Sequence, residues 1–438
     1  RNPVQSGQAR CQRHFNLMSG AFDVAIVGGG PGGSSTALSL RTIAPELSVA
    51  VIEASAYENP RIGEALPPIA RSILETLSVW QSFQDQNHRE VYGTTSIWGG
   101  AVLLDNDFIY MTAGAGWHLD RAQFDRMLAE QAEARGATFI PRQRVAELRR
   151  TADEWELTLK TGKRISARFI VDATGGAAAM ARRLGGRLLA SDHLIGMHGF
   201  FEGGAGDPRS LVEAFDNGWW YTAGLTGGSR VAVCMTDADL ARRMRLNRKN
   251  EWLRCLSAAP MVKRVLAGAS LQGQLRVRSA RTQHLESAVG EGWLAVGDSA
   301  SRFDPLSSQG IVKAMRSGIF ASYAIKDLLV KNDLVGLRRY DRFLVNEFES
   351  YLSVRQKYYA REQRWPASEF WARRTAASPG GKPYTSIISS SEIRPTDFST
   401  KKIQNYGSMC GPGEIGQLRH SVREREAPRG DDDRRRIP

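Results

Sequence analysis

Residues 23–37, Asp-Val-Ala-Ile-Val-Gly-Gly-Gly-Pro-Gly-Gly-Ser-Ser-Thr-Ala, leave the chain little conformational choice: an apolar strand runs into Gly-x-Gly-x-x-Gly and then into small residues suited to a helix start. In such a unit Gly28 permits the tight turn, Gly30 lets the backbone approach a pyrophosphate, and Gly33 permits close packing of strand on helix. With Pro31 in the same turn, the helix N-terminus and its unpaired N–H groups aim at the phosphates. A second apolar strand, residues 48–53, ends in Glu53, twenty residues beyond Gly33, where the 2′-hydroxyl of an adenosine ribose needs an acceptor. Strand, glycines, helix and acid in register read as a dinucleotide-binding unit.

The rest of the chain is that of a folded protein, with 42% apolar and 24% charged residues among 438. No run reaches the roughly 18 apolar residues of a membrane span, and residues 1–20 lack the apolar stretch of a signal peptide. The expectation is a cytoplasmic protein with no membrane partner, in which Met18 marks the true start. Four cysteines, Cys11, Cys234, Cys255 and Cys410, form no Cys-x-x-Cys pair and no histidines cluster at ligand spacing, so neither a metal site nor disulfides are expected. The net charge of +13 shows in residues 241–249 and 355–374. It reads as a solvated basic face or a docking surface for an acidic partner. No nucleic-acid-binding pattern accompanies it, and no nucleic acid partner is expected.

Helical spacing of apolar residues appears over 68–80 and 121–135, and again over 247–267, 310–330 and 335–360. Alternation and turn residues predict strands within 92–110, a meander over 144–172, an aromatic-rich sheet over 196–236 and a short strand ending at Gly297-Asp298. Beyond residue 379 the pattern decays into Gly, Pro, Ser and charge. These elements predict an α/β fold in which a Rossmann-type nucleotide-binding domain is interwoven with a β-sheet substrate domain and followed by a C-terminal helical region. The expected boundaries are an extension at 1–20, the nucleotide domain at 21–190 with its return at 291–330, the β-rich substrate domain at 191–290, and the helical region and irregular tail at 331–438.

Four further motifs agree with the N-terminal one. Arg61-Ile62-Gly63-Glu64-Ala65 follows the Glu53 strand, residues 117–125 open a helix at Arg121, Val171-Asp172-Ala173-Thr174-Gly175 closes the meander, and Val296-Gly297-Asp298 leads into Asp304-Pro305-Leu306-Ser307-Ser308-Gln309-Gly310. Together, over about residues 22–355, they resemble the glutathione-reductase-type flavoproteins of the aromatic hydroxylase and tryptophan halogenase superfamily. That resemblance implies FAD, held by the glycine turn and Glu53, by Arg61 and Arg121, and by Asp298 at the ribityl or pyrophosphate. It also implies contacts from Pro305, Gly310 and Ile311 beside the isoalloxazine and from the Val145 backbone at the adenine. A helix starting at Gly310 points partial positive charge at the flavin pyrimidine edge and stabilises the anionic reduced form.

Halogenases of this superfamily carry a Trp-x-Trp-x-Ile-Pro segment and an active-site lysine that holds the chlorinating species. Here residues 218–224 read Gly-Trp-Trp-Tyr-Thr-Ala-Gly, residues 91–100 contain no lysine, and Ser308-Gln309-Gly310 looks more like the hydroxylase Gly-Gln-Gly. The resemblance therefore implies a monooxygenase in which reduced FAD and O2 form a C4a-hydroperoxide that hydroxylates an aromatic ring. Among such enzymes the chain is similar to the halogenase-like monooxygenases that mature tryptophylquinone enzymes such as quinohemoprotein amine dehydrogenase. Its expected substrate is then a tryptophan in a small, acidic polypeptide. Phe200, Trp219 and Tyr221 are candidates for an apolar roof over the ring, and Glu64 is the candidate catalytic residue, activating a substrate N–H or C–H. No second Rossmann motif occurs, so electrons come from NAD(P)H docking transiently or from a separate flavin reductase. The alternatives are a halogenase, a hydroxylase of a small aromatic metabolite, a prenyl-type reductase and a non-catalytic flavin-binding scaffold.

Overall fold

The first strand, Gly20–Val27, sits at the centre of an eight-stranded sheet because its last four residues, Val24 to Val27, are buried on both faces. Continuous apolar runs of this kind suit a parallel sheet covered by helices. Its neighbours are Val49–Ile52 and Arg164–Asp172, both parallel to it. Thr138–Ile140 and Trp293–Ala295 extend the sheet outward on the two sides, again in parallel. The far end of Arg164–Asp172 continues into an antiparallel meander with Trp155–Leu159 and Val145–Arg150. The computed structural model describes residues 20–108, 114–152, 154–203, 207 and 209–375; the expected extension before Gly20, the tail beyond 375, Cys11 and Cys410 lie outside the described residues.

Two helices pack at the glycine-turn end of this sheet. Pro31–Ile43 leaves the glycine turn and packs against the long helix Gly310–Lys331. Their approach is close enough that a Cβ at Gly318 would lie 2.5 Å from the Gly32 carbonyl oxygen, and Ser39 and Ser322 share a 2.6 Å hydrogen bond across the interface. The predicted helix over 68–80 is in fact two, Ala70–Thr76 and Trp80–Gln84, separated where Ser78 takes a left-handed φ of 54°. The basic stretch 247–267 is likewise divided, into Lys249–Ser257 and Pro260–Val265, because proline favours a helix's first position and cannot supply an interior N–H.

The second sheet has seven strands in the order Ser270–Ser279, Leu194–Glu202, Ser229–Asp237, Gly218–Gly224, Ser210–Phe215, Gly93–Ile97 and Leu104–Asp107. All neighbours are antiparallel except Ser210–Phe215 with Gly93–Ile97. Side chains alternate between faces. Met197, Phe201 and Trp220 face the cover formed by Lys249–Ser257 and Pro260–Val265, where Trp252 and Val262 meet them. Phe200, Trp219 and Tyr221 face the other way, toward Trp98, Leu306, Tyr359 and Trp371. That second face meets Leu306 in the loop joining the nucleotide sheet to Gly310–Lys331, so the two sheets flank that loop. Among the described residues no helix is long and apolar enough to cross a membrane.

Candidate active site

The glycine turn has the geometry its three roles require. Gly28 has a φ of 115°, and a Cβ there would sit 2.2 Å from the Ala173 carbonyl oxygen. A Cβ on Gly33 would come within 1.9 Å of the Gly28 carbonyl oxygen, so both positions exclude a side chain on backbone grounds. Gly30 differs: a Cβ there would meet nothing within 4 Å. It faces open space at the start of Pro31–Ile43, where the helix's unpaired N–H groups converge and only a bare backbone leaves room for a phosphate.

Glu53 lies beneath this turn. One carboxylate oxygen accepts the Gly29 N–H at 2.8 Å, and the other accepts from Ser55 Oγ at 2.6 Å and Arg61 Nη2 at 3.0 Å. Arg61 also pairs with Asp125 at 2.7 Å and stacks over Tyr57, 4.7 Å from the ring centroid. Arg121 shares the buried Asp125 at 3.2 Å and donates to the carbonyls of Ile62 at 3.2 Å and Gly63 at 3.0 Å. Asp120 caps the helix Arg121–Ala134 by accepting from the N–H groups of Ala122 and Gln123. The two arginines thus hold the segment 61–64 in place through protein contacts. Val145 is buried, and its carbonyl accepts from Arg183 at 3.2 Å.

Glu64, at the end of that segment, is 4% exposed, and its Oε1 has no hydrogen-bond partner. Burial pushes its carboxyl above the usual range and so favours the neutral form, against the opposing pull of a backbone N–H and of Arg121. The Tyr221 hydroxyl is also buried and unpartnered, and burial pushes it well above the usual phenol range. Two orphaned polar atoms, one in the loop segment 61–64 and one on the second sheet, thus mark the region between them, and such atoms normally belong to a site that a ligand completes. Phe200, half-buried, lies on the same face as Tyr221. Trp219 does not join the roof. At 1% exposure, with its Nε1 bonded to the Tyr359 hydroxyl at 3.1 Å and its ring edge-on to Trp98, it is consumed by packing.

At the opposite end Asp298, 38% exposed, pairs with Lys313 at 3.2 Å and Arg302 at 3.4 Å. Lys313 is 1% exposed, and its ammonium also donates to the carbonyls of Gly297 and Ser301, 4.8 Å from the Phe303 ring centroid. Asp304 fixes the turn that follows: it accepts the Leu306 N–H at 3.0 Å, Tyr359 Oη at 2.7 Å and Arg355 Nε at 3.3 Å. Pro305 is exposed, Ser308 holds a left-handed φ of 51°, and Gly310, with nothing within 4 Å of an added Cβ, opens the long helix. Ile311 is anchored in the main core.

This arrangement fits FAD. The turn at Gly30 and the acceptor Glu53 suit the pyrophosphate and adenosine, and Asp298 suits the ribityl chain. The N–H groups at the start of Gly310–Lys331 and the orphaned Glu64 oxygen suit the ring system. Sequence reasoning missed Lys313, since a lysine in an amphipathic helix reads as a surface residue. It also missed the clamp of Tyr359 and Arg355 on Asp304, which joins residues 55 and 51 positions apart. Two surface hollows, one beside Trp155 and Trp293 and one beside Arg243 and Trp365, share no residue with this site.

The chain matches the family described as tryptophan halogenase over residues 23–91 and 103–402. It is 31% identical over 369 residues to LodB of Marinomonas mediterranea, a proposed FAD-dependent oxidoreductase, covering 82% of this chain and 98% of that one. It is 26% identical over 324 residues to tryptophan 2-halogenase of Chondromyces crocatus, covering 70% and 61%. Among solved structures, the myxobacterial chondrochloren halogenase CndH superposes with a TM-score of 0.75 at 24% identity, covering 82% and 87%. The peptidyl tryptophan dihydroxylase QhpG, essential for tryptophylquinone cofactor biogenesis, does so at 0.66 and 23%, covering 81% and 78%.

Proposed function

The chain belongs to the tryptophan halogenase family of FAD-dependent enzymes, and from that premise we propose that it is a monooxygenase that hydroxylates an aromatic ring, a tryptophan side chain carried on a polypeptide. The observation that carries this choice is the state of the lysines. Halogenation in this superfamily draws on an active-site lysine that holds the chlorinating species; residues 91–100 contain none. Lys313, the lysine beside the cofactor loop, has its ammonium turned to the Gly297 and Ser301 carbonyls and to Asp298. An amine held by three oxygens in a buried site is not available to carry a halogen.

Reduced FAD, when bound, supplies the oxygen-activating chemistry, with O2 as co-substrate and NAD(P)H or a separate flavin reductase as the electron source. The chain's own residues do the rest. Phe200 and Tyr221 present an apolar, aromatic wall that excludes water and orients a ring by edge and face contact. Glu64 and the Tyr221 hydroxyl, both unpartnered, hold an indole N–H and fix which ring carbon faces the cofactor. The free N–H groups at the start of Gly310–Lys331 stabilise negative charge at the pyrimidine edge. Because the same fold serves a peptidyl tryptophan dihydroxylase, a ring borne on a polypeptide is a substrate the architecture is able to admit. Maturation of a tryptophylquinone cofactor is the setting we propose for it.

A second reading, halogenation of the same ring, is favoured by the assigned activities of the relatives. Incubating a tryptophan-containing peptide with the protein, FAD, NADH, a flavin reductase, bromide and air separates the two. The expected product gains oxygen and no bromine. Bromine on the ring would replace hydroxylation by halogenation, and an unchanged peptide in every sequence context would remove both.

A further inference from the structure

The substrate-facing side of the second sheet ends at an edge that the chemistry above does not use. Strand Ser270–Ser279 pairs with Leu194–Glu202 on one side and, among the described residues, with no strand on the other. Leu271 and Leu275 pack on the helix-covered face. The register sets Gln272 opposite Phe200, Arg276 opposite His198 and Arg278 opposite Gly196, so these polar side chains stand on the face that carries Phe200 and Tyr221. Arg276, Val277 and Arg278 are all exposed. Among the described residues neither arginine has a carboxylate partner, although most arginines around the site do.

Beneath the two guanidinium groups lies His198, 2% exposed, with an Nδ1 that has no partner. Its ring stands edge-on to Phe200 at 5.8 Å. Burial and the two arginines hold its pKa down to about 4, so it is a neutral hydrogen-bonding group rather than a third cation. The strand's last residue connects to the cofactor loop: Arg302 donates to the Ser279 carbonyl at 3.2 Å and pairs with Asp298. A ligand laid along this edge is therefore led toward the cofactor end of the site.

We propose that this edge is a polypeptide-docking site, in which an extended acidic segment adds as a further strand beside Ser270–Ser279 and places its carboxylates against Arg276 and Arg278, above His198. The proposal rests on the reading of the substrate as a polypeptide and names how that polypeptide is held. Open N–H and C=O groups on an edge strand receive a backbone in register, and alternate side chains supply specificity. Two neighbouring guanidinium groups without counter-charges repel one another and favour an anionic occupant, best a carboxylate in the fork geometry of arginine. The chain's own segment beyond 375 holds more Lys and Arg than Asp and Glu, so its charge suits this edge poorly.

The test uses the full-length, FAD-loaded protein and a fluorescein-labelled peptide Asp-Glu-Val-Trp-Val-Glu-Asp, its Asn/Gln counterpart, and an acidic version N-methylated at alternate backbone amides. Fluorescence anisotropy at low salt is expected to show the acidic peptide bound about tenfold tighter than the amide form, the effect of one to two exposed charge-assisted contacts. Arg276→Gln/Arg278→Gln should abolish that preference with flavin content and thermal midpoint retained, and N-methylation should weaken binding by a similar factor. Equal affinity for the two peptides, a preference that survives in the double variant, indifference to N-methylation, or tighter binding of a single-stranded oligonucleotide at the same arginines would each overturn the proposal. Oxygen gain by the Asn/Gln peptide, measured in parallel, reports on the monooxygenase reading alone. Its presence without an acidic preference discards the docking site, and its absence with the preference intact discards the chemistry.

Discussion

Replacing Lys313 by methionine removes a buried ammonium while keeping an unbranched stem of similar length in the helix Gly310–Lys331. The Ser301 carbonyl loses the Lys313 donor in a buried setting, whereas the Gly297 carbonyl keeps the Ala300 N–H at 3.2 Å, and an orphaned buried acceptor costs about 1–3 kcal/mol. Asp298 is 38% exposed and keeps Arg302 at 3.4 Å, so water restores most of its loss and its share falls to about 0–1 kcal/mol. Relief of the ammonium's own desolvation offsets part of the sum, leaving a net cost of about 1–3 kcal/mol. For a chain of this size that lowers the thermal midpoint by about 1–3 °C. The same loop carries Asp298, which we assign to the cofactor, so FAD affinity should fall by about tenfold, equivalent to about 1.4 kcal/mol. Differential scanning fluorimetry on flavin-free protein and titration of flavin fluorescence measure the two effects. Pairing the variant with Asp298→Asn should cost less than the sum of the single changes, because the two side chains are in contact. A midpoint moved by less than about 1 °C, with unchanged FAD affinity, would refute the reasoning.

Gly33→Ala sets a Cβ against the Gly28 carbonyl at 1.9 Å, so soluble protein carrying this change should purify without yellow colour; a normal flavin spectrum would contradict the close packing assigned to the turn. Asp298→Ala removes a partly exposed carboxylate and should lower FAD occupancy several-fold while far-UV circular dichroism stays as in the parent, and full occupancy would count against the contact. His88, His118 and His198 are each held neutral by burial, with pKa values lowered from 6.5 to about 4. The unfolded chain binds these protons at a higher pH than the fold does, so stability should be full above about pH 6.5 and fall as pH drops toward 4. Urea midpoints across that range measure it, and a flat profile would mean that these rings are not held neutral.

The parts of the site written in contiguous residues were legible before any coordinates. The glycine turn depends on Gly28, Gly30 and Gly33 within one strand–turn–helix, and the long helix begins at Gly310 where its spacing said it would. Strand Ser270–Ser279 carries a signal in its sequence: Leu271, Leu275 and Val277 occupy alternate positions between glutamines and arginines, the pattern of a sheet edge with one apolar face. Other features had no local signal. Lys313 sits where helical spacing leaves a polar residue free to face solvent, and only the fold of residues 297–303 over it makes the position buried. Trp219 and Tyr221 are two residues apart on one strand face, and what distinguishes packed core from pocket wall is Tyr359, 140 residues away from Trp219.

The most direct test of the proposed monooxygenase chemistry is high-resolution mass spectrometry of a tryptophan-containing acidic polypeptide after turnover under isotopically heavy oxygen gas, with FAD, NADH, a flavin reductase and bromide present. Hydroxylation predicts one or more heavy oxygen atoms on the tryptophan ring, located by fragmentation, and no bromine. Oxygen of ordinary mass drawn from water, or bromine on the ring, would contradict it.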